Sequence, residues 1–205
     1  QYPGVAKSID SDVANVAALI RMSGLLPKGL DLAPYLAEAR AQLHEETDYI
    51  REAAQTKRFA DLLADQPQFV VPKLVDDWST SQILAMSFEP GIAVEEAAND
   101  PQEIRDQIAT HLIALTLREI FDFGFMQTDP NFANYRYQSD TGRIVLLDFG
   151  AARDISAPVA RQYRRLLQAG LKDDAAGIQQ IAQEIGFIDH ATARNHCTQV
   201  ITMIR

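Results

Sequence analysis

Gln127-Thr128-Asp129-Pro130-Asn131-Phe132-Ala133-Asn134, followed by Asp148-Phe149-Gly150, is the stretch that decides how this chain reads. It supplies an Asp, an Asn five residues on, and a second Asp that opens a tight turn. Metal-bridged phosphates carry concentrated negative charge, and Mg²⁺ among them takes hard oxygen ligands, which one carboxylate and one side-chain amide can provide. Phosphoryl transfer also needs a separate carboxylate that orients the attacking nucleophile and accepts its proton. Asp148 and Asn134 suit the ligand roles, and Asp129 suits the positioning or base role.

Asp-Phe-Gly alone carries little weight, because so short a string recurs by chance. Its setting carries more. The stretch before Asp129 reads as a long helix broken at Gly124, and Gly142 opens the apolar run Ile144-Val145-Leu146-Leu147 that leads into Asp148. A helix, a loop bearing Asp and Asn, a hairpin and then the Asp-Phe-Gly turn is the order a kinase-like site requires. A plain turn at Asp129-Pro130-Asn131 with a strand-end cap at Asp148 would require no such order.

Composition limits the alternatives. A chain of 205 residues suits one or two domains and can bury a sizeable core. A net charge of −9 argues against a nucleic-acid surface, which needs clustered Lys and Arg. The single cysteine, Cys197, excludes an intrachain disulfide framework. No uninterrupted apolar run approaches the roughly eighteen residues of a membrane span. Gln1-Tyr2-Pro3-Gly4 is neither an initiator methionine nor a signal peptide, and Val200-Ile201-Thr202-Met203-Ile204-Arg205 ends inside a helical pattern without a cap. Both ends therefore read as cuts in a longer protein.

Helix dominates the pattern along the chain. Asp10 to Met22 reads as a first helix with Val13, Val16, Ala17 and Ile20 on one face, and Leu25 to Gly29 as a connector. A long helix is expected from about Pro34 to Ala64, its buried stripe formed by Leu36, Ala39, Leu43, Ile50 and Ala53. Glu46 falls on that stripe, where a carboxylate is costly unless a cation meets it. In a kinase-like fold one helix offers such a Glu to the phosphate-binding Lys, which makes Glu46 the candidate. Two strands follow, Phe69 to Val75 (an edge, given Pro72) and Gln82 to Met86, and a break between lobes is expected at Glu89-Pro90-Gly91. Asp100-Pro101-Gln102-Glu103 opens a helix with Ile104, Ile108, Leu112, Leu115 and Phe121 on its apolar face. After Gly150, helices are expected over Ala157–Ala169, Asp173–Ile185 and from Ala191 onward. His44, His111, His190 and His196 are scattered without ligand spacing, Trp78 reads as a turn residue, and Glu95-Glu96 and Asp173-Asp174 read as solvated helix ends.

The chain resembles the catalytic core of the UbiB/ADCK family of atypical kinase-like proteins, above all its coenzyme Q-biosynthesis members. The resemblance is carried by Gln1-Tyr2-Pro3-Gly4-Val5-Ala6, Glu46-Thr47-Asp48-Tyr49-Ile50-Arg51-Glu52-Ala53-Ala54, Phe125 to Asn131, and Leu146 to Ala151. It implies an α+β, protein-kinase-like fold of two lobes, predominantly helical, with residues 1–88 as a truncated N-lobe and 89–205 as a C-lobe. It implies ATP and Mg²⁺ as cofactors and a role in ubiquinone synthesis. It further implies peripheral membrane association and, as partners, quinone-precursor lipids or the biosynthetic enzymes. The corresponding location is the cytoplasmic face of a bacterial inner membrane or the matrix side of the mitochondrial one. By the same resemblance Glu46 matches the ion-pair Glu, Asp129 the catalytic-loop Asp, and Asn134 and Asp148 the metal ligands. Glu52 matches a second carboxylate on the cofactor side that meets the family's N-terminal extension.

The departures also carry information. The resemblance puts the phosphate-binding Lys and the alanine-rich nucleotide loop just ahead of Gln1, so the chain on its own is expected to be a poor enzyme. Lys7, past the Pro3-Gly4 break and beside a helix start, reads as a surface charge. Against typical protein kinases, Gln127-Thr128 stands where His-Arg would, and Asn131 where a Lys helps neutralise the transferred phosphate. No Ala-Pro-Glu follows Asp148-Phe149-Gly150. These features favour ATP hydrolysis or transfer to a small molecule over a protein kinase. Two other readings remain open: a nucleotide-gated, pseudokinase-like chaperone, and a small-molecule phosphotransferase of the aminoglycoside or choline kinase type.

Overall fold

In the computed structural model, residues 1, 3–23 and 31–188 are described. The helix expected from Ala191 onward, the connector Leu25 to Gly29, and Tyr2, His190, His196 and Cys197 lie outside them. The elements run α1 (Val5–Ser23), α2 (Ala33–Glu46), α3 (Tyr49–Leu62), β1 (Phe69–Val70), β2 (Ile92–Ala93), α4 (Gln102–Arg118), β3 (Phe125–Gln127), β4 (Tyr135–Gln138), β5 (Arg143–Leu146), β6 (Ala152–Asp154), α5 (Ala157–Leu171) and α6 (Ala175–Ile185). The class is α+β, mostly helical with small sheets, as expected. The chain forms two compact units, one of residues 1–112 and 127–152, the other of residues 113–126 and 153–205.

The first unit holds a four-stranded sheet in the order β1-β5-β4-β2. The hairpin expected between Asn134 and Asp148 is β4 and β5, antiparallel with Tyr135 opposite Leu146 and Gln138 opposite Arg143. β1 lies parallel to β5 at the sheet edge and ends two residues before Pro72, so the proline interrupts no ladder bond. The strand expected over Phe69 to Val75 is much shorter, because past Val70 the chain leaves β5 and meets the 82–86 segment only through the Leu74–Met86 bridge. β2 follows directly on the break at Gly91 and pairs with β4, so sequence on both sides of residue 88 contributes to one sheet.

The long helix expected from Pro34 to Ala64 is two helices. The chain turns at Thr47-Asp48, and the Asp48 carboxylate accepts from the Arg51 N–H at 3.0 Å, capping α3. That break resets the helical phase. α2 buries no residue, Leu43 and Ala39 are exposed, and Ile50 is 65% exposed. The inward face of α3 instead runs Glu52, Thr56, Phe59, Leu63, a spacing of four, three and four. α1 begins at Val5, earlier than expected, and buries Ile9, Val13 and Ala17, while Val16 is exposed. It packs on α2, where Asp10 meets Arg40 at 3.2 Å and His44 at 3.3 Å.

In the second unit α5 and α6 bury Leu166, Ala169, Ile178 and Ile181 against one another, with Ile185 partly covered. Asp174 caps α6 by accepting from the Gly177 N–H at 2.9 Å, so this acidic residue does more than sit in solvent. After α4 the backbone widens into a π-turn at Glu119–Phe123 and stops at Gly124, whose φ of +58° lies in the left-handed region that glycine enters without strain.

Candidate active site

Every expected site residue lies in the first unit, and hydrogen bonds position the segments that carry Asp129, Asn134, Asp148 and Glu52. The loop after β3 is built by Asn131. Its side-chain oxygen accepts from the Ala133 N–H at 3.0 Å and its backbone carbonyl from the Asn134 N–H at 2.9 Å. The resulting turn, Phe132–Asn134, delivers Asn134 to the foot of β4. There the Asn134 carbonyl accepts from the Leu147 N–H at 2.9 Å, so Asn134 and Asp148 flank the same end of the hairpin.

Asp148 is half-buried and turns back on its own loop, its Oδ1 accepting from the Gly150 N–H at 2.8 Å. Its other oxygen is outside that bond. A Cβ at Gly150 would lie 3.4 Å from Asp148 Oδ1 and 3.8 Å from Glu52 Oε2, so both carboxylates border the same side of this turn. Their proximity has an electrostatic signature. Burial, and then the negative charge of Asp148, push the Glu52 carboxyl from 4.5 up to about 7.

Asp129 is exposed at the loop tip. Its backbone N–H donates to Gln127 Oε1 at 3.1 Å, while Gln127 Nε2 donates to the Asp148 carbonyl at 2.7 Å. Gln127 is buried, and its amide links the loop that carries Asp129 to the turn that carries Asp148. Thr128 Oγ1 donates to the Ala151 carbonyl at 2.7 Å. The Arg51 guanidinium donates to the carbonyls of Gly150 at 2.5 Å and Ala152 at 2.9 Å. Phe149 fixes the turn from beneath, its ring 4.7 Å from that of Phe59 on α3 with both rings fully buried.

Glu46 occupies a different place. It is exposed at the end of α2 and lines a cleft of about 490 Å³ with Gln1, Pro3, Val5, Thr47 and Tyr49. Gln1 is held there by its side chain, which donates to the Thr47 carbonyl at 3.0 Å, and by its backbone nitrogen, which donates to Gln82 at 2.8 Å. Glu46 thus faces the start of the chain, and Glu52 takes the inward position on α3. The buried stripe expected to carry Glu46 does not exist, for the reason of phase given above.

The donors present fit a divalent cation. Two carboxylates border one turn and an amide stands at the same hairpin end; Glu52, its carboxyl raised first by burial and then by the charge of Asp148, gains a counter-charge if a cation binds beside it. Among the described residues no three His, Cys, Asp or Glu side chains form a metal centre. Mg²⁺ between phosphates needs fewer, one or two carboxylates with the remaining ligands from phosphate and water.

Sequence does not mark Arg51, Gln127 and Thr128 as positioning groups; the signals it carries are a polar residue directly after the apolar pair Phe125-Met126 and an arginine directly before Glu52.

Comparison with known proteins identifies the family. Residues 1–182 match the model of the ABC1 atypical kinase-like domain. The chain is 42% identical over 188 residues to "Atypical kinase COQ8B, mitochondrial" of Rattus norvegicus, covering 92% of this chain and 36% of that protein. It is 37% identical over 207 residues to "Atypical kinase COQ8, mitochondrial" of Saccharomyces cerevisiae, covering 99% and 41%. The chain therefore spans about two-fifths or less of those relatives. A solved structure, the complex of Rv3197 with erythromycin from Mycobacterium tuberculosis, superposes with a TM-score of 0.74 at 23% identity, covering 98% of this chain and 52% of that one. At that identity the likeness concerns the fold. With the family model covering most of its length and the loop, hairpin and turn in place, this chain belongs to the ABC1 atypical kinase-like proteins, the UbiB/ADCK family.

Proposed function

We propose that this chain forms the phosphoryl-transfer core of an ATP- and Mg²⁺-dependent atypical kinase or ATPase that serves coenzyme Q biosynthesis. The observation that carries the reading is the linkage of Asp129, Gln127 and Asp148, beside Asn134, at one end of a two-stranded hairpin. Asp148 and Asn134 would hold Mg²⁺, with Glu52 beside them on the cofactor side. The bound Mg²⁺-nucleotide supplies the transferable phosphoryl group and neutralises its charge.

The chain's own groups supply orientation and proton handling. The exposed carboxylate of Asp129 accepts the proton of an attacking hydroxyl or water, while the Gln127 amide keeps its backbone fixed to the Asp148 turn. Glu46 faces Gln1, the side from which an upstream lysine would enter, and its proposed role is to pair with that lysine. In this reading residues 1–88 contribute to the nucleotide-holding lobe and 89–205 to the lobe that carries the catalytic loop.

Lipid-like quinone precursors, or the enzymes that process them, are the proposed partners. The names of the curated relatives favour the mitochondrial location, and the matrix side of the inner membrane is the proposed face. No helix among the described residues is long and apolar enough to cross a membrane, and the association proposed is peripheral. The test is nucleotide turnover by the full-length protein, with and without liposomes and a quinone-precursor mimic. Turnover that depends on Mg²⁺ and rises with the mimic supports the proposal. Absence of Mg²⁺-dependent nucleotide turnover under all conditions contradicts it.

A further inference from the structure

Five consecutive backbone carbonyls run through the Asp148-Phe149-Gly150 turn and beyond it, and each one has a donor. Gln127 Nε2 reaches that of Asp148 at 2.7 Å, and the Ala152 N–H that of Phe149 at 3.0 Å. Arg51 Nη1 takes that of Gly150 at 2.5 Å, Thr128 Oγ1 that of Ala151 at 2.7 Å, and Arg51 Nη2 that of Ala152 at 2.9 Å. Four of the five donors are side-chain groups, and they belong to only three residues. Arg51 is itself oriented: its guanidinium lies 3.6 Å from the Glu45 carboxylate, and its backbone N–H is bound by the capping Asp48. Its side chain is only 25% exposed.

We propose that Arg51, Gln127 and Thr128 are positioning residues that clamp the backbone of residues 148–152, so that the Asp148 turn stands preassembled and is not switched by an ordering loop. The segment after Asp-Phe-Gly is where many kinases place an order–disorder switch. Here strand β6 begins two residues after Gly150, leaving no length for one, and the side chains of Gln127 and Thr128 hold the turn from the catalytic loop. Arginine is required by geometry. A planar fork of N–H groups can serve two carbonyls two residues apart, whereas an ammonium group offers one point of contact. Because the Asp148 carboxylate is oriented by the Gly150 N–H, loosening the Gly150 carbonyl loosens the carboxylate.

The inference rests on the reading of Asp148 as a metal ligand, and its test has an arm that does not. In the full-length protein, Arg51→Met should raise the Mg²⁺ concentration that half-saturates binding of a fluorescent adenine nucleotide by about tenfold, the scale seen when an outer partner of a metal ligand is lost. Arg51→Lys should fail to restore it, and Thr128→Val should shift it in the same direction by less. Hydrogen exchange at the amides of residues 149–152 should quicken in Arg51→Met while that of β4 and β5 stays unchanged. Exchange that stays unchanged at residues 149–152, or rises equally across the first unit, would overturn the clamp. If the wild-type protein takes up no Mg²⁺-nucleotide, the function proposed above fails, and the exchange arm alone decides the clamp.

Discussion

Gln127 and Glu52 show how single side chains set this site. Gln127 reads from sequence only as a departure from the usual His-Arg pair, because a sequence shows which residue is present and not which two backbone groups it will bridge. Burial explains its role: an amide that offers both a donor and an acceptor can bridge the Asp129 loop and the Asp148 turn at once. Asn131 likewise reads as a missing lysine, and in the structure its carboxamide shapes the turn that carries Asn134. Glu52 gives a test at this scale. Its carboxyl titrates near 7 in the folded chain against 4.5 normally, because burial and Asp148 both disfavour its charge. The folded state therefore holds this proton more tightly than the unfolded chain does. The stabilisation is full below pH 4.5 and is lost as pH rises through about 7. Glu52→Gln should flatten the decline in denaturant midpoint over that window in the metal-free protein, and it should do so only if Glu52 is the group responsible. An unchanged slope would remove Glu52 from the account.

At the scale of elements, helices α4, α5 and α6 and the β4–β5 hairpin were legible because each carries a strong period or a turn signal. The spacing of Ile178, Ile181, Ala182 and Ile185 marks α6, and Gly142 marks the hairpin. The α2–α3 region was not legible as two helices. Thr47-Asp48 interrupts a pattern that otherwise continues, and a cap by Asp48 looks in sequence like any polar residue on a helix face. Reading one helix straight through that break carries the phase of α2 into α3 and puts the expected stripe on Glu46 and Ile50 instead of on Phe59. Two substitutions measure the consequence. Asp48→Ala removes the α3 cap and should lower stability by about 1 kcal/mol, read from chemical denaturation. Phe59→Ala removes a fully buried ring stacked on Phe149 and should cost about 3–5 kcal/mol. It should also weaken Mg²⁺-nucleotide binding, because the turn that carries Asp148 rests on that ring. A loss of stability as small as that of a surface change would mean that α3 does not support the turn.

For the molecule as a whole, fold class and family were legible because the loop, hairpin and turn are local and ordered along the chain. The sheet that joins them was not. β1 and β2 contribute two residues each, too few to show an alternating pattern, and β1 pairs with a strand more than seventy positions later. In the proposed function, one end of this sheet is a phosphoryl-transfer site in which Asp148 holds the metal and Asp129 handles the proton. The most direct measurement compares Mg²⁺-nucleotide affinity and turnover for the full-length wild type, Asp129→Asn and Asp148→Asn. Asp129→Asn should bind the nucleotide as the wild type does and turn over about a hundredfold more slowly, as expected for loss of a general base. Asp148→Asn should lose Mg²⁺-dependent binding itself, because a charged ligand is gone. Wild-type turnover in both variants would contradict the account and leave a nucleotide-binding module in its place.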